Sequence, residues 1–349
     1  MTRILITSVG SSPGLDIARS LALDPTLTLV GGDAGPWGRR LGARVCHEVI
    51  ALPRADRSPT AYLDALDRAL TQQAIDVVLV SLDVEVAAVA ACGRAPCRPC
   101  PLPPIDALAV TLDKARTAAL AGERVPASRE LSSADELAAA FAAIAPPVWL
   151  RPSTGTSGQA SLRVDSVEEA RMWIALWARR GVAGPWLVQE FLPGRNINWT
   201  GLYVDGRLAA SACMERRGYY LDTVAVSGVT GQVRLCATID APAAAAVADE
   251  VARAVCGGRP RGLLSVDLRE DRRGRPRVTE VNPRLAGRPW LYTQAGVNLP
   301  LAAARALLGR PLGDAVAPGG ARVGLQMYRQ LDVAPLLVEE GADDDGLAP

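Results

Sequence analysis

The chain has 349 residues, 49% of them hydrophobic, and its 38 basic and 37 acidic side chains nearly cancel. Length and apolar content predict a sizeable core divided among two or three domains, and the charge balance provides no electrostatic footprint for nucleic acid or an anionic membrane. The N-terminal MTRILITSVG runs straight into a strand pattern with no long apolar segment ahead of a cleavage site, which argues against secretion and membrane spanning and for the cytoplasm.

Residues 3–9 read as an apolar strand, 10–14 (GSSPG) as a Gly-rich turn, 15–23 as an amphipathic helix and 27–32 as a second strand, a β-α-β opening. Such a turn at a helix N-terminus can hold a phosphate or carboxylate on free backbone N–H groups. Gly10 and Gly14 do not reproduce GxGxxG, however, and Asp33 only weakly imitates a ribose-binding acid, so an NAD(P)-linked oxidoreductase is the weaker of the functions considered. Residues 62–69 read as a helix, 76–81 as a buried parallel strand and 85–92 as a helix before a Pro-rich break at 96–104, so 1–105 form a Rossmann-like unit. Seven cysteines, an odd number in a long chain, read as reduced thiols. Cys92, Cys97 and Cys100 lie close in sequence but lack an evident fourth ligand, which leaves a zinc cluster or a Pro-rich loop with thiols.

One helix is expected over 107–121, carrying Asp113 and Lys114, and another over 136–145. Lys114 is the single lysine among the 38 basic residues. Either an ammonium is needed there, which a planar guanidinium does not replace, or the lysine sits incidentally on a wet helix face. A short strand over 147–152 leads into Ser153, Thr154, Gly155, Thr156, Ser157 and Gly158, a loop that either cradles phosphates on its N–H groups or is an ordinary hairpin. Residues 167–180 read as a helix, 186–192 as a strand and 196–214 as a meander. The segments 215–218 (ERRG) and 227–231 (SGVTG) are expected as loops beside a site, where Arg216 and Arg217 are candidates to bind a carboxylate. An Ala-rich helix follows over 242–256.

Residues 263–268 and 277–281 are strand-like, separated by the charged, Gly-containing EDRRGRP. A tight turn at Arg273-Gly274 would place Asp267 directly opposite Glu280, Cβ atoms ~5 Å apart. Asn282, two residues on, would join them on the same face. Two facing carboxylates and an amide oxygen are hard ligands suited to Mg²⁺ that completes its shell with water and substrate phosphate; the competing reading is a solvated acidic hairpin. Residues 285–296 are expected as an acceptor-side loop, 298–308 as a helix and 321–328 as a strand, followed by an acidic tail, GADDDGLAP, expected to be disordered.

Asp267, followed thirteen positions later by Glu280-Val-Asn-Pro-Arg284, resembles the metal-binding end of the ATP-grasp superfamily, and the order of elements resembles its carbamoyl-phosphate-synthase-like ligases. The resemblance implies a fold that is α/β and α+β: a Rossmann-like pre-ATP-grasp domain over 1–105, an ATP-grasp lid subdomain over 106–188, a metal-binding subdomain over 189–315 and a C-terminal extension over 316–349. It implies ATP and Mg²⁺, with Mn²⁺ as an alternative, the metal held by Asp267, Glu280 and Asn282. Lys114, Arg151 and the 153–158 loop would reach the nucleotide phosphates, Gln189, Glu190, Phe191 and Leu192 would form the adenine hinge, and Asn196 would take the ribose position. Arg151 stands where the family usually has lysine, and Asn196 where it usually has an acid. Arg284 is the implied catalytic cation, steadying phosphate and acyl phosphate, and Arg217, from its place beside the site, is the second catalytic candidate. The implied reaction joins a small-molecule carboxylate, an amino acid or small peptide, to an amine through an acyl phosphate. The alternative is a non-catalytic nucleotide-binding module, and the expected assembly a homodimer.

Overall fold

The computed structural model describes residues 1–155, 158–182, 184–229 and 231–330, with the backbone of 336–339. The acidic tail and the loop residues Thr156 and Ser157 lie outside them.

The N-terminal sheet is parallel, formed by β1 (Thr2–Ile6), β2 (Leu27–Asp33), β3 (Glu48–Ala51) and β4 (Val77–Leu79) in the order β3-β2-β1-β4. Ile4, Leu5 and Ile6 are all fully buried, as expected of a strand covered on both faces. The helices α1 (Ser12–Leu21), α2 (Pro36–Gly42), α3 (Pro59–Gln72) and α4 (Asp83–Cys92) provide the cover. The features behind the oxidoreductase alternative, Gly10 and Asp33, are closely packed and bonded to each other and also line a second cleft. A Cβ on Gly10 would lie 2.2 Å from Gly38 Cα, and the Asp33 carboxylate accepts from Gly10 N (3.0 Å) and Gly35 N (2.9 Å).

The single helix expected over 107–121 is two, α5 (Ile105–Thr111) and α6 (Lys114–Ala121). Asp113 is the reason, because its carboxylate accepts from Ala115 N (2.9 Å) and Arg116 N (3.2 Å) and so caps a new helix. Lys114 becomes the first residue of α6.

A second sheet, antiparallel, contains β5 (Ser128–Leu131), β6 (Val148–Pro152), β7 (Leu162–Val164) and β8 (Trp186–Glu190) in the order β5-β8-β6-β7. Its own apolar cluster lies beneath α7 (Leu137–Ala143) and α8 (Val167–Arg179). The third and largest sheet is also antiparallel: β9 (Asn196–Val204), β10 (Arg207–Tyr219), β11 (Val233–Thr238), β12 (Gly262–Glu270), β13 (Pro276–Asn282), β14 (Leu325–Tyr328) and β15 (Leu336–Glu339), ordered β13-β12-β9-β10-β11-β14-β15. Strand alternation gives this sheet two faces. Ile197, Trp199, Val266 and Leu268 pack on one side with α9 (Pro242–Val255). Leu202, Ala212, Met214 and Leu263 face the other, toward α1, α10 (Pro289–Gln294) and α11 (Leu299–Leu307). The segment 215–218, expected as a loop, continues β10, and residues 289–294 of the expected acceptor-side loop are helical.

The β12–β13 hairpin pairs Asp267 with Glu280 as expected, by a different route. Below that pair the register moves by one, with Leu268 opposite Val278 and Glu270 opposite Pro276. Thr279 is therefore an extra, bulged residue that compensates for a turn one residue longer than expected. Asp271 organises the turn: Oδ1 accepts from Arg273 N (2.8 Å) and Arg275 N (2.9 Å), and Gly274 supplies the left-handed corner at φ 73°. Burial opposes ionisation of Asp271, but the N–H groups of Arg275 and Arg273 and the Arg275 guanidinium outweigh it and hold its carboxyl at about 2. A carboxyl depressed in the folded state stabilises above its unfolded value of 3.8, and that contribution is lost as pH falls toward 2. Asp271→Asn should destabilise the protein by about 1–3 kcal/mol at neutral pH, and the difference from the parent should vanish near pH 2, as checked by urea titrations at the two pH values.

Candidate active site

A cleft of about 470 Å³ opens where β12 and β13 meet the edge of the second sheet and the first turn of α4. Asp267, Glu280 and Asn282 all line it. The bulge at Thr279 is what permits this: Val278 stays on the core face while Glu280 turns to the cleft. It also frees the Thr279 carbonyl, which accepts from Arg151 Nη2 at 2.5 Å. The other edge of Arg151 donates through Nε to Gln189 Oε1 (2.7 Å), and Gln189 Nε2 donates to Ser128 Oγ (2.8 Å). Burial lowers the Arg151 pKa, opposed by the charges of Glu280 and Asp267.

Asp267 is held from two sides. Its Oδ1 accepts from Asn198 Nδ2 and from Arg216 Nη2, both at 2.7 Å. Asn198 is itself oriented, since its Oδ1 accepts from Tyr292 O–H (2.9 Å) and so directs the amide N–H₂ at Asp267. Burial disfavours the charge on Arg216, but Asp267 more than restores it and the pKa rises. Arg216 is the cleft arginine; Arg217, next along β10, is exposed and paired with Glu215 at 3.1 Å, and it does not line the cleft. Alternation along β10 separates the two, directing Arg216 and not Arg217 into the cleft. Tyr292, expected on an acceptor-side loop, is fully buried behind Asn198.

The lysine is not on a wet face. Lys114 is 9% exposed, and its Nζ donates to Gly155 O (2.7 Å) and lies 3.7 Å from Glu280 Oε1. Burial lowers its pKa, with Glu280 opposing and Arg151 reinforcing. Arg284 meets the N-terminal unit, donating from Nε to Asp83 Oδ1 (2.6 Å) and from Nη2 to Asp83 Oδ2 (2.5 Å), a bidentate pair at the start of α4. Burial opposes its charge and Asp83 restores it, so its pKa is raised.

Toward the second sheet, Glu190, Phe191, Leu192 and Trp149 line the same cleft. Phe191 lies against Trp149 (centroids 6.5 Å apart) and beneath the Arg163 guanidinium (5.3 Å). Asn196 sits at the junction, its Nδ2 donating to Tyr219 O–H (2.7 Å). Of the Gly-rich loop, Gly158 lines the cleft, whereas the Ser153 hydroxyl is buried without a partner and Thr154 is exposed outside the lining. Lys114 and Gly155 also stand outside the lining, one layer behind Glu280.

Among the described residues no group of three or more His, Cys, Asp or Glu side chains is placed to hold a metal. The three clustered cysteines therefore make no zinc site there, and the hairpin offers two carboxylates and one amide. That donor set suits a hard cation only when an anionic ligand completes the shell. The surroundings agree: Arg151, Arg216, Arg269, Arg284 and Arg288 line the cleft with Lys114 behind Glu280, against the acids Asp83, Glu190, Asp267 and Glu280, an excess of positive charge that favours an anion over a bare dication. Asn198, Arg216, Asp83 and Thr279 complete the arrangement. Of these, Asn198 was readable as the same-face neighbour of Asn196 in the run Asn-Ile-Asn.

No protein-family model matches the chain, and no curated protein matches its sequence. Solved structures do match in fold. The L-amino acid ligase from Bacillus licheniformis is 17% identical with a TM-score of 0.64, over 94% of this chain and 79% of that one. The N5-carboxyaminoimidazole synthetase from Staphylococcus aureus, complexed with ADP, is 15% identical with a TM-score of 0.69, over 95% and 82%. The biotin carboxylase from Campylobacter jejuni, in a β,γ-ATP complex, is 15% identical with a TM-score of 0.70, over 93% and 74%. The fold shared with these enzymes is the ATP-grasp fold. No helix among the described residues is long and apolar enough to cross a membrane.

Proposed function

We propose that this chain, which has the ATP-grasp fold, is an ATP-dependent carboxylate-amine ligase. The observation that carries the reading is the Asp267–Glu280 pair with Asn282 beside it, ringed by Lys114, Arg151, Arg216 and Arg284. Phosphoryl transfer needs positioning and charge neutralisation more than covalent catalysis, and this ring supplies both. Asp267, Glu280 and Asn282 would hold Mg²⁺ or Mn²⁺, which when bound neutralises phosphate charge and aligns the transferred group.

The chain's own residues do the rest. Phe191, Leu192 and Trp149 provide an apolar slot for the base, and Asn196 a hydrogen-bonding group for the ribose. Lys114 and Arg151 draw the phosphates toward the hairpin. Arg284, aligned by Asp83, steadies the transferred phosphoryl group. A carboxylate oxygen of the acid attacks the γ-phosphorus, the bond to the bridging oxygen breaks, and ADP leaves. An amine then attacks the acyl carbon, the carbon–oxygen bond to phosphate breaks, and the amine proton is released with inorganic phosphate. The substrates are small acids and amines, in the cytoplasm, and the protein is expected to work as a homodimer.

³¹P NMR of the protein with ATP, Mg²⁺ and mixed amino acids tests this. ADP and phosphate appearing only when a carboxylate is present is the expected outcome. AMP with pyrophosphate would replace the acyl phosphate with adenylation, and bound but unconsumed ATP would make the chain a nucleotide-binding module.

A further inference from the structure

Beside β11, where Arg288 bonds the Val233 carbonyl, two guanidiniums converge on one neutral oxygen. Arg288 donates from Nη1 to Ser12 Oγ at 2.5 Å, and Arg329 donates from its Nη1 to the same oxygen at 2.6 Å. Ser12 and Arg288 line the cleft that Asp267 and Glu280 line. Arg288 is 3% exposed, and among the described residues its Nη2 donates to the Val233 carbonyl (3.1 Å) and its buried Nε has no partner. Neither arginine forms an ion pair among the described residues. Asp16, on the next turn of α1, is fully buried and pairs with Arg19 at 3.5 Å; its charge acts on both Arg288 and Arg329, but among the described residues it makes no hydrogen bond or ion pair with either.

This is an unfavourable arrangement as it stands. Buried cations are ordinarily matched by carboxylates, yet here two share a hydroxyl that can accept no more than two bonds. Burial and the neighbouring charges of Arg329 and Arg216 push the Arg288 guanidinium down to about 10, with Asp16 opposing. An incoming anion would satisfy both arginines and the idle Nε. The position is also informative, because Arg216, whose charge acts on Arg288, is the residue bonded to Asp267. An anion held at Arg288 would thus share one cleft with the metal-type carboxylates.

We propose that Arg288, Arg329 and Ser12 form a carboxylate-binding subsite for the nucleophilic substrate, so that the amine partner is one that itself carries a carboxylate, an amino acid. The subsite rests on the ligase reading for its role in the reaction, but its binding chemistry can be measured without turnover.

The experiment is calorimetric titration of the full chain, without ATP, with a panel of L-amino acids and the C-terminal amide of each. At least one free acid should bind about tenfold or more tightly than its amide, the loss expected when charge-assisted hydrogen bonds to one group are removed. Arg329→Gln and, separately, Arg288→Gln should abolish that preference; Arg329 is the less buried of the two and keeps the test open if Arg288→Gln does not fold. No binding of any free acid, equal binding of acids and amides, or an undiminished preference in Arg329→Gln would overturn the subsite. ADP release with the same panel offered as amines, beside a fixed acyl donor such as an N-acetyl amino acid, separates the two readings. Acid preference without ADP under any pairing removes the ligase and leaves the subsite, whereas ADP formation that is equal with acids and amides removes the subsite and leaves the ligase.

Discussion

Glu280→Ala should reduce ADP formation by about 10²–10³-fold or more, the range lost when one preorganised group opposing transition-state charge is removed, while the protein remains folded. Glu280 is suited to so clean an effect. Its side chain is 24% exposed, and among the described residues its one ion-pair partner is Lys114 at 3.7 Å. Lys114 keeps its bond to Gly155 O when the carboxylate is gone. The strand around it is held by neighbours that do not change, Val278 and Val281 against the α9 core and Asn282 opposite Ser265. Initial rates of ADP release and a thermal melt of the same preparation give the two halves of the result. A variant with parental rates would remove the metal role from the hairpin, and a variant that melts far earlier would make Glu280 structural.

Lys114→Arg should weaken ATP binding by about 10–100-fold, the loss of one to two charge-assisted bonds, although charge is retained. The ammonium sits in a slot between the Gly155 carbonyl and Glu280, with the Arg151 guanidinium adding to its electrostatic load. A planar guanidinium with five donors on a rigid fork does not fit where one compact cation is enclosed. The pH dependence provides a second signature. Burial lowers the Lys114 pKa from its ordinary 10.5, so in the parent the positive charge, and with it nucleotide affinity, is lost at a lower alkaline pH than for an exposed lysine. Arginine stays charged throughout, so the variant should bind weakly and lose this pH dependence. Calorimetry across the alkaline range checks both. Unchanged affinity would make the single lysine incidental.

The contrast between Lys114 and Arg217 shows where sequence reasoning reached and where it stopped. Lys114 was legible as a candidate because its type was unusual, one ammonium among guanidiniums, and the structure places it buried beside Glu280. Arg216 and Arg217 are the same type side by side, and only the direction of each side chain on β10 separates them. Direction depends on register, and β10 changes register between Arg216 and Gly218. The hairpin repeats the lesson. Its turn was read one residue short, yet Asp267 met Glu280 because the bulge at Thr279 offset the error. Composition does not reveal a bulge, since any residue type can occupy one.

By itself the sequence determined most of the order and class of the elements, though not the helix break at Asp113 or the helix over 289–294, and it brought Asp267, Glu280 and Asn282 onto one hairpin. Apolar periodicity and turn residues are local properties, and Asp, Glu and Asn two residues apart or facing across a turn need little beyond strand geometry to meet. The tertiary structure alone decided what stands around them. Asp83 reaches Arg284 across 201 positions, Thr279 meets Arg151 across 128, and Ser12 meets Arg329 across 317. Such contacts are set by how three sheets pack, and no local pattern carries them. The charge balance of the cleft therefore appears only in the folded chain, because desolvation, which makes an unpaired cation costly and an anion welcome, exists only once packing has excluded water.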